Sequence, residues 1–289
     1  MNKKKVYPMY FAFGSVIIYV LLSVVPGLMG IGYSFTDWSA YSSELHFVGF
    51  DNFIEVFSGD NEYLTYITNT LLFTVVTVVA KTGLGLLFAV ALSKGIKGKN
   101  FHRAVLYLPS VLPILVTGLV FTSILNPKIG FLNTTLNALG LGRFALKWLT
   151  NPDIAFWSVM AVDIWRGTGY IMTMLIAGIL AIPDDYYEAA AIDGANGWHR
   201  FRYITLPMLR QNLAVVIVLN TIYGLKVFDM VYALTNGSYG TEVMYTAVFK
   251  MTSKGLYAMG TTISSVMFIF MVIVGYFMVK ILTRNEVVE

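Results

Sequence analysis

Six apolar stretches, each long enough to cross a bilayer, decide what this chain can become. A helical span needs roughly 20 mostly apolar residues. Runs of that kind lie at about 9–35, 66–93, 104–125, 154–181, 213–234 and 261–282. Inside hydrocarbon every backbone N–H and C=O must find its partner within the protein, so runs of this length can only be helices. The expectation is an all-α polytopic membrane protein with six transmembrane helices. Charge agrees: 12% of the 289 residues are charged and 57% hydrophobic, whereas soluble domains are about a quarter charged. There is no cysteine, which excludes a disulfide framework, a thiol nucleophile and a thiolate metal site.

Basic residues set the orientation. Lys3, Lys4 and Lys5 precede the first span; Lys94, Lys97, Lys99 and Arg103 follow the second. Arg200, Arg202 and Arg210 follow the fourth, and Lys280 and Arg284 flank the sixth. All of these fall on one side, which places both termini and the loop after the fourth span in the cytoplasm. The Met1–Lys5 start resembles a signal-peptide n-region. The apolar run behind it exceeds the usual length of about 7–15 residues, so an uncleaved first span is expected. The external segment 36–65 mixes acids with Trp38, Tyr41, Phe47, Phe50, Phe53 and Phe57, aromatics suited to the membrane interface. In the third span Pro109 and Pro113 predict a broken helix. No phosphate-cradling Gly-x-x-x-x-Gly-Lys-Ser/Thr loop, nucleophile elbow or His-Glu-x-x-His motif occurs. ATP hydrolysis and the common hydrolytic chemistries are therefore excluded.

The most instructive polar interruption is the loop 183–207. Pro183, Asp184 and Asp185 read as a helix start, because proline fits the first turn and acids suit the positive end of the dipole. Alanines follow, and Gly194 is a helix stop, since glycine enters the left-handed cap without strain. Tyr187, Ala190, Ala191 and Gly194 share one face, and Asn196 can cap a second short helix carrying Trp198, His199, Arg200, Phe201 and Arg202. By spacing alone, this is either a docking element for a soluble partner or an ordinary amphipathic loop.

Glu188-Ala189-Ala190, then Gly194, then Ile204-Thr205-Leu206-Pro207 resembles the EAA loop of ABC importer permeases. Glu-Ala-Ala-Ala-Ile-Asp-Gly-Ala and Arg-Tyr-Ile-Thr-Leu-Pro are similar to the carbohydrate-uptake branch, the relatives of the maltose permease subunits. Asp37-Trp38, the Phe47–Phe53 run, the paired prolines and Trp165-Arg166-Gly167 resemble the same family. Arg210-Gln211-Asn212 replaces a further proline often found there, and the loop 235–260 lacks the glycine-proline run of many relatives. The resemblance implies a MetI-like permease fold, a single transmembrane domain over residues 1–289, with 183–207 as its cytoplasmic coupling loop. It implies ATPase docking through Tyr187, Glu188, Ala189, Ala190, Ala191, Asp193, Gly194 and Ala195, on a framework of Ile204, Leu206 and Pro207. It also implies a second homologous permease, a cytoplasmic ATPase dimer holding ATP and Mg, an extracytoplasmic sugar-binding protein and a sugar substrate, in a bacterial cytoplasmic membrane. No cofactor on this chain and no nucleic acid are expected.

Ionisable residues inside spans are functional candidates by default. Asp163, Arg166, Tyr170 and Met174 form one stripe of the fourth span, with Asp163 and Arg166 spaced to pair. Asn220, Tyr223, Lys226 and Asp229 form a slanting row in the fifth. Such groups suit sugar hydroxyls in a pathway; they equally suit a structural ion pair that holds helices in register. Lys81 lies deep in the second span, where a lysine faces protein or water or else snorkels. The alternative function is an ion-coupled secondary sugar transporter using Asp163 and Asp229, which would leave the 183–207 loop unexplained.

Overall fold

A computed structural model describes residues 10–58, 62–93 and 96–282. Lys3, Lys4, Lys5, Lys94, Arg284 and the start of the first apolar run lie outside the described residues. The chain is all-helical, in keeping with the hydropathy. Among the described residues there is no strand, only an isolated antiparallel bridge between Thr36 and Phe47. In chain order the helices are α1 (Tyr10–Tyr19), α2 (Val25–Tyr33), α3 (Asp51–Phe57), α4 (Tyr63–Ser93), α5 (Lys99–Val111), α6 (Ile114–Ile124) and α7 (Phe131–Ala138). They continue as α8 (Pro152–Leu180), α9 (Asp185–Ile192), α10 (Gly197–Arg200), α11 (Leu206–Met208), α12 (Arg210–Leu225), α13 (Asp229–Thr235), α14 (Met244–Ser253) and α15 (Tyr257–Leu282). Short π-helical turns join α1 to α2 and α10 to α11.

Three helical segments are long and apolar enough to span by themselves: Phe13–Tyr33, Tyr63–Ser93 and Tyr257–Ile281. Three bent pairs bring the possible number of spans to six. The third expected span is broken, with 96° between α5 and α6. Pro113 makes the break. A residue before proline is driven out of the helical region, and Leu112 is extended at φ −66°, ψ 134°. Pro109 stays inside α5. The fifth expected span is broken too, which the hydropathy does not show. α12 ends at Leu225 and α13 begins at Asp229, so Asn220–Asp229 is not one helical row.

Two compact units are present: Met1–Leu64 with Ala247–Ile269, and Thr65–Thr246 with Phe270–Glu289. In the first, Thr262 Oγ1 and Asn52 Nδ2 both donate to the Ser34 carbonyl, at 3.1 and 3.0 Å, and the Trp38 and Tyr257 rings meet tilted at 44°, with centroids 4.8 Å apart. Phe35 gathers Phe47, Phe50 and Phe53 around it. The interface aromatics therefore build a cluster, while Tyr41, Phe47, Phe50 and Phe57 keep exposed area.

In the second unit α8 is the axis. Its first half, through Phe156, Val159, Met160 and Val162, packs with Phe73, Met230, Val231 and Leu234. Its second half, through Ile171, Met172, Leu175 and Ile179, packs with Ala89, Leu92, Leu209 and Val216. Gly169 lets α5 approach, because any Cβ there would collide with the Leu106 carbonyl. Some threonines in these helices return their hydroxyls to the i−4 carbonyl, as Thr74 does to Thr70 (2.7 Å) and Thr168 to Ile164 (2.6 Å). That satisfies a polar group without a partner helix.

Candidate functional site

Between the two apolar layers of α8 lies a polar one. Asp163, 1% exposed, receives a hydrogen bond from the Tyr223 hydroxyl at 2.8 Å. Lys81, 2% exposed, places Nζ 2.6 Å from Asp163 Oδ2 and 4.5 Å from the Tyr223 ring centroid. The Lys81 contact is an ion pair rather than a directed hydrogen bond, since no donor meets Oδ2 in hydrogen-bond geometry. A buried carboxylate and a buried ammonium are each too costly to leave unpaired, so α4, α8 and α12 converge on one neutral cluster.

This arrangement corrects the expected Asp163–Arg166 pair. Helical spacing makes those residues neighbours, but α4 delivers a closer cation to Asp163. Arg166 instead donates from Nε and Nη2 to the Leu112 carbonyl, at 3.2 and 3.1 Å. That carbonyl sits at the α5–α6 break and has no place in the helical ladder of α6. An arginine fork is well shaped for such a group.

Lys226 and Asp229 do not continue the helical row of Asn220 and Tyr223. Lys226 is the C-cap of α12 and Asp229 the first residue of α13, and both are exposed. A cation at a helix end and an acid at a helix start are each favoured by the dipole, and the break between the helices accounts for both.

A cavity of about 220 Å³ opens beside the cluster, lined by Lys81, Asp163, Arg166, Tyr170, Asn220 and Tyr223 together with Ser110, Gly167, Ile171 and Leu219. Five of the seven pathway candidates thus come together, while Lys226 and Asp229 stay outside the lining. Lys81 and Ser110 were missing from the sequence-derived set. The intramembrane-charge criterion that selected Asp163 also singled out Lys81, as a lysine deep in a span, without assigning it to the pathway. Asn220 is 5% exposed, and its Nδ2 has no hydrogen-bond acceptor. A larger cavity of about 430 Å³ in the first unit, lined by Tyr19, Ser23, Gly27, Gly30, Ser264 and Phe268 among others, has no charged residue in its lining. It offers little chemistry.

The loop 183–207 is ordered by its own sequence. α9 ends in a left-handed Gly194, φ +76°. Ala195 N–H reaches the Ala190 carbonyl (2.8 Å) and Gly194 N–H the Ala191 carbonyl (3.1 Å), the paired bonds of a Schellman ending. Asn196 then caps α10, its side chain accepting from the His199 N–H at 2.9 Å. Arg200 Nε donates to the Ala195 carbonyl at 3.0 Å and steadies the turn.

Glu188, Ala189, Ala191, Asp193 and Gly194 are exposed; Ala190 and Ala195 are half-buried. Tyr187 differs from the exposed candidates. It is half-buried, and its hydroxyl lies 3.0 Å from Oγ1 of the buried Thr205, so it joins α9 to the turn before α11. Among the framework residues Ile204 and Leu206 are half-buried and Pro207 is exposed. Ile192 and Trp198 add apolar exposure at the tip, 88% and 67%. The end of α9 thus presents small residues and two large apolar side chains outward.

Residues 81–285 match the family described as binding-protein-dependent transport system inner membrane component. The chain is similar to the trehalose/maltose transport system permease protein of Thermococcus litoralis, 35% identical over 265 residues, covering 89% of this chain and 88% of that one. It is also similar to the multiple sugar-binding transport system permease protein of Streptococcus mutans, 31% identical over 300 residues and covering 99% and 100%. A solved bacterial ABC transporter involved in import of the acidic polysaccharide alginate aligns with TM-score 0.84 at 23% identity. It covers 96% of this chain and 95% of that chain, a likeness of fold.

Proposed function

This chain belongs to the inner membrane components of binding-protein-dependent transport systems, and on that premise we propose that it is one of two permease subunits of an ATP-driven carbohydrate importer. It is a multi-pass protein of the cytoplasmic membrane, and a permease component rather than an enzyme. ATP and Mg belong to a separate cytoplasmic ATPase dimer. An extracytoplasmic sugar-binding protein delivers the substrate, and a second homologous permease completes the pathway. The sugar-transport relatives support the substrate class, an oligosaccharide by preference.

The observation that carries the coupling role is the tip of α9. Its Schellman ending at Gly194 leaves Ile192, Asp193 and the adjoining Trp198 facing outward. Such a tip fits a cleft in the ATPase, and both chain termini lie on the same cytoplasmic side. Closure of the ATPase dimer on nucleotide drags the tip and shifts the spans between inward and outward access. The shift requires nucleotide to bind the two states with different affinity, not merely to bind. The polar layer then lies on the sugar's path, with Asp163, Arg166, Tyr170, Asn220 and Tyr223 around it. An ion-coupled carrier fits less well, because Asp163 already holds Lys81 and Tyr223, and Asp229 begins a separate helix.

The test is reconstitution. Co-expressed with an ATPase subunit, its partner permease and the sugar-binding protein, the chain should support vanadate-sensitive uptake of a labelled oligosaccharide, and the purified chain by itself should not hydrolyse ATP. Uptake that continues unchanged when hydrolysis is blocked would sink this reading.

A further inference from the structure

Trp165, Arg166 and Gly167 follow one another in α8, and each meets a different neighbour. Trp165 sets its ring edge-on to Phe121 of α6, with centroids 5.0 Å apart. Gly167 leaves room for Lys81, since a Cβ there would come within 2.7 Å of the Lys81 Cδ. Arg166, between them, donates twice to the Leu112 carbonyl at the α5–α6 break. A single turn of α8 thus meets α4, α6 and the joint between α5 and α6.

The joint is short: Leu112 and Pro113 are both extended, with ψ 134° and 137°. Beyond it the two helices rest on different supports. α5 is seated on α8, where Gly169 meets the Leu106 carbonyl, and α6 on α13, where any Cβ on Gly118 would overlap Ala233. α13 follows a break of its own after Leu225, so α6 rests on a helix that has its own joint. A carbonyl in hydrocarbon needs a donor within the protein. In an unbroken helix the N–H four residues on would supply it; Leu112 takes it from Arg166 instead. A hydrogen bond from a charged donor is roughly twice as strong as a neutral one, and the guanidinium fork fixes direction as well as distance. Without the fork the Leu112 carbonyl has to turn toward another donor, and that turn is a change of ψ at the joint. Arg166 and Ser110 of α5 both line the cavity of about 220 Å³, so its wall follows the joint. The side-on edge of Arg166, Nε with Nη2, is given to the backbone rather than open to a ligand.

We propose that Arg166 is a positioning residue for transport: through the Leu112 carbonyl it sets the bend between α5 and α6, and with it the wall of the cavity. The inference rests on the importer reading above and assigns Arg166 to holding the pathway's shape rather than to touching the sugar. Gly167 is the contrast from the same turn, because it serves Lys81 and α4 and not the joint.

The test uses the importer complex in liposomes. This chain has no cysteine, so spin labels on Phe101→Cys in α5 and Leu119→Cys in α6, both exposed positions, report the bend as a distance. Arg166→Met removes both donors at similar side-chain length. It should shift that distance and lower uptake at least about tenfold, as expected for losing hydrogen bonds to a charged group. Arg166→Lys keeps the charge and one donor; it should hold the parental mean distance with a broader spread, and its uptake should fall between the two. Gly167→Ala should lower the thermal midpoint while the distance stays parental. An unchanged distance in Arg166→Met overturns the proposal, and with uptake lost it makes Arg166 a sugar contact instead. Parental uptake at a shifted distance overturns it too, as does an equal shift in Gly167→Ala. If Arg166→Met does not fold, Arg166→Lys decides, and a spread as narrow as the parent's overturns the proposal. A parental complex without ATP-driven sugar uptake discards the importer reading, while the distances still decide whether Arg166 sets the bend.

Discussion

The polar layer and the 183–207 loop both interrupt an apolar chain, yet they are built in opposite ways. In the loop the ordering bonds are mostly local. Gly194 reaches Ala191, Ala195 reaches Ala190 and His199 reaches Asn196. In the layer the partners come from distant helices; Tyr223 and Asp163 lie 60 residues apart. The loop is largely exposed, whereas Asp163 and Lys81 are almost fully buried. Water can replace a lost bond in the loop but not in the layer. The same kind of substitution should therefore cost fold in one place and function in the other.

The largest effect should come from splitting the buried pair. Asp163→Asn strands Lys81 and should cost about 3–5 kcal/mol, seen as a large drop in the thermal midpoint and in recovered folded protein. Lys81→Met combined with Asp163→Leu should recover much of that loss, since an apolar pair of similar volume is about neutral, short by about 1–3 kcal/mol for the Tyr223 hydroxyl left without its acceptor. If the single variant is as stable as the parent, the layer is not what joins α4, α8 and α12. If the double variant folds well yet fails in uptake, the layer serves transport beyond stability.

Gly194→Val comes next. The left-handed φ costs a side chain about 1–2 kcal/mol, and an added Cβ meets nothing within 4 Å in this chain. The variant should insert and fold while losing co-purified ATPase and uptake, because the new side chain projects only toward a partner. A folded Gly194→Val protein that keeps its ATPase and transports at the parental rate would make the loop an ordinary connection.

Tyr187→Phe should be milder. It removes the contact with Thr205, a loss of about 0.5–1.5 kcal/mol. The tip should loosen, with lower uptake per bound ATPase, as measured by uptake normalised to co-purified subunit. A variant with normal uptake but less bound ATPase would instead make Tyr187 a docking residue. Glu188→Ala should be the smallest, about 0–1 kcal/mol for an exposed charge, readable as a modest fall in ATPase co-purification. A loss as large as that of Gly194→Val would mean that Glu188 is desolvated on docking.

The loop was legible because its rules are short-range. Acids near the start of α9, glycine at its end and asparagine before α10 act over one helical turn, and each took the predicted place. Tyr187 escaped that logic, because helical spacing assigns a face but not which side of it the body of the protein covers. In the layer, Asp163 and Tyr223 could be picked out as costly, but not paired with each other. The i, i+3 rule offered Arg166 as the partner because it was the nearest cation in sequence. Lys81, a helix away, was nearer in space.

Apolar length and charge distribution by themselves determined that this chain is a bundle of membrane helices, since an apolar run of about 20 residues satisfies its backbone in hydrocarbon as a helix. The proline at 113 also determined one break, through the steric restriction on Leu112. Only the tertiary structure decided the second break, at 226–228, where no proline stands. Only it decided that Arg166 serves a broken helix and Lys81 serves Asp163. Burial makes each of those choices. Once water is excluded, a charge or an orphaned carbonyl takes whichever partner the folded helices bring within reach, and that distance is not written in the spacing of residues along the chain.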